Sequence, residues 1–426
     1  MAELGIPRGT RDFNPSETIS LKEIVAVVED IFKRFGFYPI DTPRLENMDV
    51  LNAKAYGDEA AKEIYVVSGE SAGLRFDLTV PLARYIAMNR NVNLPFKRYQ
   101  IDRAWRKDEP QHMRAREFLQ ADVDIVGSSE PASDAEAVAA AALALEGLGL
   151  SDYSILINNR NVLNAVLESF SIPKEKVVAA VRSIDKLPKT GKEGVVRELT
   201  AGGIDARKAE DLLNFLEQGS SNDALFEKVL TTVPAAKEEV DRLKTLFRLL
   251  EAYSLRGKAV FDLSLARGLD YYTSFVWEFV VYIDGKRAPT LAAGGRYDNL
   301  IGIYSKQSLP ATGVSIGISR LFDILDGRSV SKTYAQVFVA YIGKENQEYA
   351  TSVANYMRGM GIYADLNLTT RNLAKQLEYA NALGIKYVAV LGNKERDEKK
   401  VRLKNMLSGE ENLISVDEAV TILKKQ

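Results

Sequence analysis

The sequence contains no cysteine and a single histidine, His112, among its 426 residues. The absence of cysteine excludes disulfide bonds, thiolate zinc sites and cysteine nucleophiles. One histidine excludes a multi-histidine metal site and disfavours a Ser/His/Asp triad. Any catalysis must therefore depend on carboxylates, arginines, tyrosines, backbone dipoles or a bound hard cation.

Long apolar runs and a charge imbalance are missing as well. The longest apolar stretch, 137–145, is too short to cross a membrane. Lys plus Arg number 56 and Asp plus Glu 58, so the net charge of −2 excludes a generally basic nucleic-acid coat. The N-terminal segment is charged and interrupted by glycine and proline, unlike a signal peptide. We therefore expect a cytoplasmic protein with no membrane association.

The first 150 residues combine one clear helix with strand patterns. Helical periodicity is strongest over 18–36, and a short strand pattern over 38–43 ends at a proline that belongs at a sheet edge. Two strand-like runs, 96–106 and 117–126, are joined by a polar stretch that is too short for a crossover helix. The sequence therefore predicts an antiparallel hairpin here.

The pattern changes twice along the rest of the chain. A strand at 153–157 leads into helix-period segments separated by Gly/Ser breaks, which predict a mostly α-helical insertion over 151–256. Strand–helix alternation over 334–426 indicates an α/β domain with a mainly parallel sheet. We predict a first domain made of 1–150 and 257–326, then a polar linker, 327–333, and the α/β domain.

Polar side chains share one face of each predicted hairpin strand. Because side chains alternate along a strand, two polar sets form: Gln100, Asp102 and Arg106 on the first strand, and Gln120, Asp122 and Asp124 on the second. A pocket for a small polar ligand and a solvated sheet face both fit this pattern. The connecting loop adds Arg114 and Arg116, whose guanidinium groups suit phosphate oxygens, although a solvated basic loop is the alternative.

Three short motifs combine glycine with arginine and other polar residues. They are LARGLDYY at 265–272, GGRYD at 294–298 and GVSIGISR at 313–320. Glycine permits close approach of backbone or ligand, although ordinary turns, tyrosine packing and helix–sheet packing explain these motifs equally well. The sequence has neither a P-loop nor a Rossmann glycine motif, so a bound ATP would have to lie on an antiparallel sheet, held by arginines.

Together these segments resemble histidyl-tRNA synthetases, a family of class II aminoacyl-tRNA synthetases, along nearly the whole chain. The most specific match is 265–272, which is similar to the family's histidine-site signature. The hairpin segments 103–106 (RAWR) and 116–120 (REFLQ) resemble motif 2, and 313–320 resembles motif 3. The helix and proline that end at Pro43 resemble motif 1. The resemblance implies a class II synthetase fold, with an α+β catalytic domain built on an antiparallel sheet with flanking helices.

The implied activity is that of a homodimeric histidine–tRNA ligase. Histidine and ATP with Mg²⁺ would form histidyl-adenylate, and the histidyl group would then pass to tRNA(His). Guanidinium groups and Mg²⁺ would neutralise charge as the histidine carboxylate attacks the α-phosphate. The α/β domain would bind the anticodon stem-loop through a basic face that contains Lys394, Arg396, Lys399, Lys400, Arg402 and Lys404.

The resemblance also implies roles for individual residues. The two catalytic arginines would be Arg106, at the α-phosphate, and Arg267, between the substrate carboxylate and the α-phosphate. Further ATP contacts would come from Asp108, Arg114 and Arg320, and Gln111 would face the tRNA acceptor end. The histidine pocket would contain Asp77, Thr79 and Gln120 at the α-ammonium group, Asp124 and Tyr272 at the imidazole nitrogens, and Tyr271 beside them. No residue is assigned to a metal.

One departure and two alternatives accompany this interpretation. Motif 3 has Ser319 before Arg320, where glutamate is more usual. The main alternative function is that of a non-catalytic paralogue, the regulatory subunit of ATP phosphoribosyltransferase, which normally lacks the C-terminal α/β domain and part of the arginine set. A non-catalytic tRNA-binding or polymerase-accessory module is the second, and the amino-acid pocket residues argue against it.

Overall fold

The structure is a computed structural model that describes residues 4–53, 61–89, 91–217, 221–266, 271–325 and 332–425. The chain forms two compact units. The larger comprises Met1–Arg11 and Glu23–Ile324, and the smaller comprises Asp12–Lys22 and Leu325–Gln426. No helix in the described ranges has both the length and the apolar character that a membrane span requires.

Nine of the described strands form the main sheet of the larger unit. In spatial order they are β1 (Tyr38–Pro39), β4 (Phe96–Trp105), β5 (Glu117–Val126), β11 (Ala311–Gly317), β10 (Ala292–Arg296), β8 (Phe275–Ile283), β6 (Tyr153–Asn159) and β7 (Ala259–Phe261), while β9 (Lys286–Arg287) pairs with β8. The strands from β4 to β6 pair antiparallel, and the two outermost pairs, β1 with β4 and β6 with β7, are parallel. The predicted antiparallel hairpin is confirmed as β4 and β5. A separate pair consists of β2 (Leu45–Asn47) and β3 (Ala72–Leu74).

Helices cover the sheet and form a separate cluster. Those described up to residue 325 are α1 (Pro15–Arg34), α2 (Met48–Leu51), α3 (Thr79–Met88), α4 (Pro131–Gly147), α5 (Arg160–Ser169), α6 (Lys174–Ile184), α7 (Leu187–Ala201), α8 (Ala206–Leu216), α9 (Asn222–Thr232), α10 (Lys237–Ala252), α11 (Leu300–Tyr304) and α12 (Ile318–Leu325). A 3₁₀ turn, Pro234–Ala236, precedes α10. The Ala-rich α4 packs on β11, β5 and β10, because its small side chains allow close approach to the sheet.

Two sequence expectations need correction at the edges of elements. The strand expected to reach Pro43 ends at Pro39, since proline has no N–H to donate to a ladder. The strand at the start of the predicted insertion is β6, which lies in the main sheet between β8 and β7. Its alternating pattern revealed a strand but could not reveal the partners, which come from distant parts of the chain. The helices α5 to α10 that follow β6 confirm the helical composition of this stretch.

The smaller unit contains a five-stranded sheet with helices. The strand order is β13 (Ala364–Leu366), β12 (Val337–Tyr341), β14 (Tyr387–Leu391), β15 (Lys400–Asn405) and β16 (Glu411–Ser415). The first two pairings are parallel and the last two antiparallel. The helices are α13 (Gln347–Gly359), α14 (Leu373–Ala382), α15 (Asn393–Asp397) and α16 (Val416–Lys424), with a 3₁₀ turn at Lys344–Asn346. Val337 and Val339 enter one core cluster and Phe338 the other, so β12 is buried on both faces as the α/β prediction required.

Candidate active site

Buried charged residues occupy one face of the main sheet at its centre. The β4–β5 register pairs Arg98 with Asp124 and Gln100 with Asp122. Arg98 is fully buried, and both aspartates are only 2% exposed. Burial of ionisable groups is costly unless they are paired or serve a ligand. This face is therefore the candidate binding site.

Asp124 lies towards the end of this face that is away from the hairpin loop. Both of its carboxylate oxygens have a neighbouring polar group. The Nη2 atom of Arg98 lies 2.6 Å from Oδ2 of Asp124, and the hydroxyl of Tyr297 donates to Oδ1. Burial raises the pKa of Asp124, while the Arg98 charge opposes that rise. Burial and the neighbouring Asp124 carboxylate raise the pKa of Tyr297 well above its usual value, so this phenol remains a donor.

Tyr297 was not among the residues assigned to the pocket from the sequence. It belongs to the GGRYD motif, whose arginine and aspartate have structural partners instead. Arg296 is buried and pairs with Asp134 of α4 at 2.6 Å and with Asp298 at 3.2 Å. Alternation along β10 and beyond gives Arg296 and Tyr297 opposite faces. That alternation is the signal that could have directed Tyr297 towards the pocket.

Glycines provide the space around Asp124 and Tyr272. A Cβ atom on Gly313 would lie 2.1 Å from Oδ1 of Asp124, and one on Gly295 would lie 2.8 Å from the Tyr272 ring. Gly313 is paired with both Asp124 and Gly295 across the sheet. Gly295 of the second motif and Gly313 of the third are therefore explained by close contacts inside the candidate site.

The two tyrosines assigned to the histidine pocket lie within reach of these groups. The Tyr271 ring packs edge-on against Tyr272 and Tyr297, with ring centroids 5.0 and 5.7 Å away. Burial raises the pKa of Tyr272, and the carboxylates of Asp124, Asp122 and Asp77 raise it further. Tyr272 therefore remains protonated and can donate a hydrogen bond. Arg267, assigned to catalysis, lies outside the described residues.

Asp77 and Thr79 lie at the start of α3. Oδ1 of Asp77 accepts the backbone N–H groups of Thr79, at 3.1 Å, and Val80, at 2.9 Å. This arrangement satisfies amides at the helix start and fixes the carboxylate. Asp77 and Thr79 are 4% and 8% exposed, and the charge of Asp77 raises the pKa of both Asp122 and Asp124. The structure thus brings Asp77 close to the sheet face that carries Asp124.

Gln120 lies on the same face, towards the hairpin loop. Its Nε2 donates to Oγ of Ser315 on β11 at 2.9 Å. Its Oε1 is buried and accepts no hydrogen bond from the described residues. An acceptor without a donor in a buried site is available to a ligand.

Arg106 stands at the end of β4 with its guanidinium held between two aromatic rings. Its Cζ lies 4.3 Å from the Phe76 ring centroid and 5.0 Å from that of Phe118, and its Nε donates to the Phe76 carbonyl at 3.2 Å. Stacking restricts the side chain and leaves other N–H groups available for oxygen ligands. Sequence reasoning identified Arg106 but missed both phenylalanines that orient it.

The other ATP-assigned residues meet around the hairpin loop. Arg114 forms an ion pair with Asp108. Arg320 donates from Nε to the Met113 carbonyl at 3.2 Å and from Nη1 to the Thr290 carbonyl at 2.7 Å. Arg320, which is distant in sequence, is therefore linked directly to this loop.

Two further observations concern the loop and its supports. Ser319, the departure in motif 3, accepts the backbone N–H of Leu119 at 2.8 Å and so links the start of α12 to β5. Gln111, assigned to tRNA, is exposed where the loop reverses, and its backbone pairs with that of Arg114. His112 is exposed beside it.

Across the described residues, no group of three or more His, Cys, Asp or Glu side chains is arranged to hold a metal ion. A cation that accompanies a nucleotide would draw its ligands mainly from phosphate oxygens and water.

The chain is similar to characterised proteins over its whole length. A family model described as histidyl-tRNA synthetase matches residues 9–321, and one described as an anticodon binding domain matches 336–426. A curated relative from Korarchaeum cryptofilum, named histidine–tRNA ligase, is 39% identical over 414 residues, which is 94% of each chain.

Solved structures show the same similarity. A crystal structure of histidyl-tRNA synthetase from Nostoc sp. PCC 7120 matches with a TM-score of 0.88 and 30% identity, and the match covers 100% of both chains. A Bacillus halodurans structure, described as an ATP phosphoribosyltransferase regulatory subunit/histidyl-tRNA synthetase, has a TM-score of 0.76 and 22% identity. It covers 92% of this chain and 98% of its own. The second match shows only a shared fold.

Proposed function

Because the chain belongs to the histidyl-tRNA synthetase family, we propose that the sheet face around Asp124 is where it binds histidine and ATP and joins them as histidyl-adenylate. The chain is a histidine–tRNA ligase, an aminoacyl-tRNA synthetase that uses ATP. The observation that carries the site proposal is the buried Arg98–Asp124–Tyr297 group, together with the stacked guanidinium of Arg106 further along the same hairpin. The first suits a small polar side chain and the second suits phosphate.

Recognition of histidine would depend on both imidazole nitrogens. A neutral imidazole has one donor and one acceptor, and these would bond to Asp124 and to the protonated hydroxyl of Tyr272. Tyr271 would support the Tyr272 ring by packing against it. A competing amino acid would leave these buried polar groups without partners, which is a strong basis for rejection.

The α-ammonium group of histidine would lie near Asp77, Thr79 and Gln120. Two properties of these residues support the assignment: the carboxylate of Asp77 is fixed by backbone amides, and Oε1 of Gln120 is a buried acceptor. An ammonium group carries only donors and therefore needs such acceptors. The substrate carboxylate would then point towards the arginines.

Adenylate formation would be an in-line attack of the histidine carboxylate on the α-phosphate of ATP. Arg106 and Arg267 would stabilise the charge that develops there. Arg114 and Arg320 would contact the outer phosphates, and Asp108 would help to seat the adenine side. Mg²⁺ would enter with ATP and offset phosphate charge.

Transfer to tRNA would involve both ends of the chain. We assign the acceptor end to Gln111, which is exposed in the hairpin loop, and the anticodon to residues 334–426. The catalytic domain would comprise 1–150 and 257–326 together with β6 (Tyr153–Asn159), and the helices that follow β6 up to residue 256 would form the insertion. Residues 327–333 would link the catalytic domain to the anticodon-binding domain.

A homodimer in the cytoplasm completes the proposal. The motif-1-like segment that ends at Pro43 supports dimerisation by resemblance, and a chain without cysteine suits a reducing compartment. Light scattering would measure the mass directly. A mass near twice 47.2 kDa is expected, and a monomeric mass at micromolar concentration would contradict it.

The regulatory-subunit alternative is less supported. The curated relative named histidine–tRNA ligase covers almost the full chain, and the C-terminal region matches an anticodon-binding model. The structure whose description names the regulatory subunit shares the fold at only 22% identity.

ATP–pyrophosphate exchange with each of the twenty amino acids, without tRNA, tests the proposed site and reaction. Exchange with histidine alone is expected. Exchange with another amino acid would mean that the roles of Asp124 and Tyr272 are wrong, and no exchange from folded protein would favour the regulatory paralogue. Arg267→Ala should reduce histidine-dependent exchange by about 10²-fold or more, because it removes a donor at the developing charge.

A further inference from the structure

Asp122 lies in the centre of the candidate histidine pocket and has no role in the scheme above. On β5 it stands between Gln120 and Asp124, and across the sheet it faces Gln100 and Ser315. It is only 2% exposed. Its Oδ1 is buried and accepts no hydrogen bond from any described residue. A buried carboxyl oxygen without a donor in a binding pocket indicates a missing partner.

The groups around Asp122 do not supply that partner. Arg98, on β4, places its Nη2 2.6 Å from Asp124 and donates to the carbonyl of Leu78. The carboxylates of Asp124 on β5 and Asp77 before α3 repel a negative charge on Asp122, and Tyr272 is a neutral phenol. The Ser315 hydroxyl on β11 hydrogen-bonds to the Asp122 carboxyl and lowers its pKa, but Oδ1 still accepts no hydrogen bond from a described residue.

Burial raises the pKa of Asp122 to about 7, with Arg98 acting against this rise and Asp124 and Asp77 adding to it. Among the described residues, the carboxyl groups of Asp77, Asp122 and Asp124 lie within electrostatic reach of one another and of the Arg98 guanidinium. An ionised Asp122 would place another negative charge next to those of Asp124 and Asp77. A proton on Asp122 removes this repulsion.

Histidine brings a positive charge to this group of carboxyl side chains. Its own carboxylate points towards the arginines in the proposed orientation, so the α-ammonium group is the charge that reaches Asp77 and Gln120. Asp122 follows Gln120 on the same face of β5. The ammonium cation can thus replace the proton that stabilises Asp122 in the empty pocket.

We propose that Asp122 is a further substrate-binding residue, whose carboxyl loses its proton and faces the α-ammonium group when histidine binds. This inference rests on the proposed function of the pocket. In this step only the O–H bond of Asp122 breaks, and its proton passes to solvent. The carboxylate that remains pairs with the substrate cation.

Proton release on binding makes the affinity depend on pH. Where Asp122 is already ionised, binding releases no proton from it, whereas at lower pH the bound substrate must compete with that proton. Affinity should therefore rise with pH and level off above about pH 7. One unit below that value, at pH 6, the affinity should be about tenfold below its maximum.

Isothermal titration calorimetry of the full chain from pH 5.5 to 8, in two buffers with different ionisation enthalpies, measures this release. The ligand is 1,2,4-triazole-3-alanine, a histidine analogue whose ring does not titrate in this range. For the wild type we expect release of about half a proton at pH 7 and the tenfold loss of affinity at pH 6. Asp122→Asn should abolish the release and flatten the pH profile.

Asp211→Asn is the matched control, because it removes an exposed carboxylate from α8. It should reproduce the wild-type profile. Wild-type binding without proton release would overturn the proposal even if the Asp122 variant failed to fold, and so would undiminished release from folded Asp122→Asn. Histidine-dependent exchange separates the two hypotheses: its presence with pH-independent binding rejects only the Asp122 role, whereas its absence rejects the proposed function.

Discussion

At the scale of single residues, the pocket depends on buried charges that have partners and on glycines that leave room for them. Arg98 and Tyr297 satisfy Asp124, while the absence of a side chain on Gly313 allows the carboxylate to lie against the sheet. Removal of one partner from such a group lowers the free energy of unfolding more than the removal of an average contact does, since the remaining polar atom stays buried.

Gly313→Ala tests the space next to Asp124. The new methyl group would lie 2.1 Å from Oδ1 of Asp124, so the carboxylate must move. We expect the KM for histidine in ATP–pyrophosphate exchange to rise by at least about tenfold, because the imidazole loses a positioned acceptor. Gly359→Ala is the control, since a Cβ there has no atom within 4 Å. An unchanged KM in the Gly313 variant would contradict the close contact.

Asp122→Asn should also change the stability of the ligand-free protein. The folded-state pKa of about 7 exceeds the ordinary value of 3.8, so between these values the native state retains a proton that the unfolded state has lost. The free energy of unfolding therefore falls as pH rises through this window. Asparagine removes that loss and should raise the free energy of unfolding by about 4 kcal/mol at pH 8, but by little at pH 4.

Urea unfolding of both proteins at pH 4 and pH 8 measures this difference. Asp211→Asn should show no comparable change between the two pH values, because its carboxylate is exposed. Equal stability of the wild type and the Asp122 variant at pH 8 would show that the buried carboxyl is not destabilising.

At the scale of elements, an N-terminal segment (residues 8–11) supports the hairpin loop that carries Arg114. The Gly9 carbonyl accepts the backbone N–H of Arg116 at 2.8 Å, and Arg8 pairs with Glu109 at 2.9 Å. Arg11 lies over the Phe322 ring and pairs with Asp323 of α12. The segment thus connects the loop to the helix that follows the motif-3 strand.

Gly9→Ala should disturb this support. Gly9 has φ of +84°, and its Cβ would lie 2.7 Å from Cγ of Arg116. A left-handed conformation costs a non-glycine residue about 1 kcal/mol or more, and the steric conflict adds to this cost. We expect a several-fold higher KM for ATP in pyrophosphate exchange, because the loop with Arg114 and Asp108 shifts.

Gly5→Ala, a few residues before that segment, is the matched control, since a Cβ there has nothing within 4 Å. It should leave the KM for ATP unchanged. Equal kinetics for the two variants would mean that the segment does not position the loop.

At the scale of the whole molecule, we assign amino-acid activation and tRNA selection to different parts of the chain. The basic residues expected to contact the anticodon stem-loop lie around α15 and β15, and most already have acidic partners. The ion pairs are Arg396–Asp397, Lys400–Glu398, Arg402–Glu395 and Lys404–Glu411. Lys394 and Lys399 are exposed and have no ion pair with any described residue, so they are the most available to phosphate.

The double substitution Lys394→Glu and Lys399→Glu should weaken aminoacylation but leave histidine-dependent exchange intact. Each lost phosphate contact should reduce the slope of log K for tRNA binding against log salt concentration by about one. Filter binding over a salt series measures that slope. Lys424→Glu, an exposed lysine near the end of α16, serves as the control. Equal losses of exchange and aminoacylation would refute separate roles for the two regions.

Much of this organisation could be predicted from the sequence because it depends on local patterns. The antiparallel hairpin follows from alternation and a short loop, and the α/β unit follows from strands that alternate with helices. The polar face of β5 was predicted for the same reason. The roles of β6 and Ser319 could not be predicted in this way, because both depend on partners more than a hundred residues away.

The sequence by itself determined the residue types of the pocket, the hairpin that holds them and, through its motifs, the family to which the chain belongs. Only the tertiary structure decided which of these side chains contact one another. Arg98 with Asp124, Tyr297 with Asp124 and Phe76 with Arg106 are pairs of this kind. The physical reason is that periodicity gives the face on which a side chain lies, whereas ion pairing and burial depend on the distances between faces from distant segments.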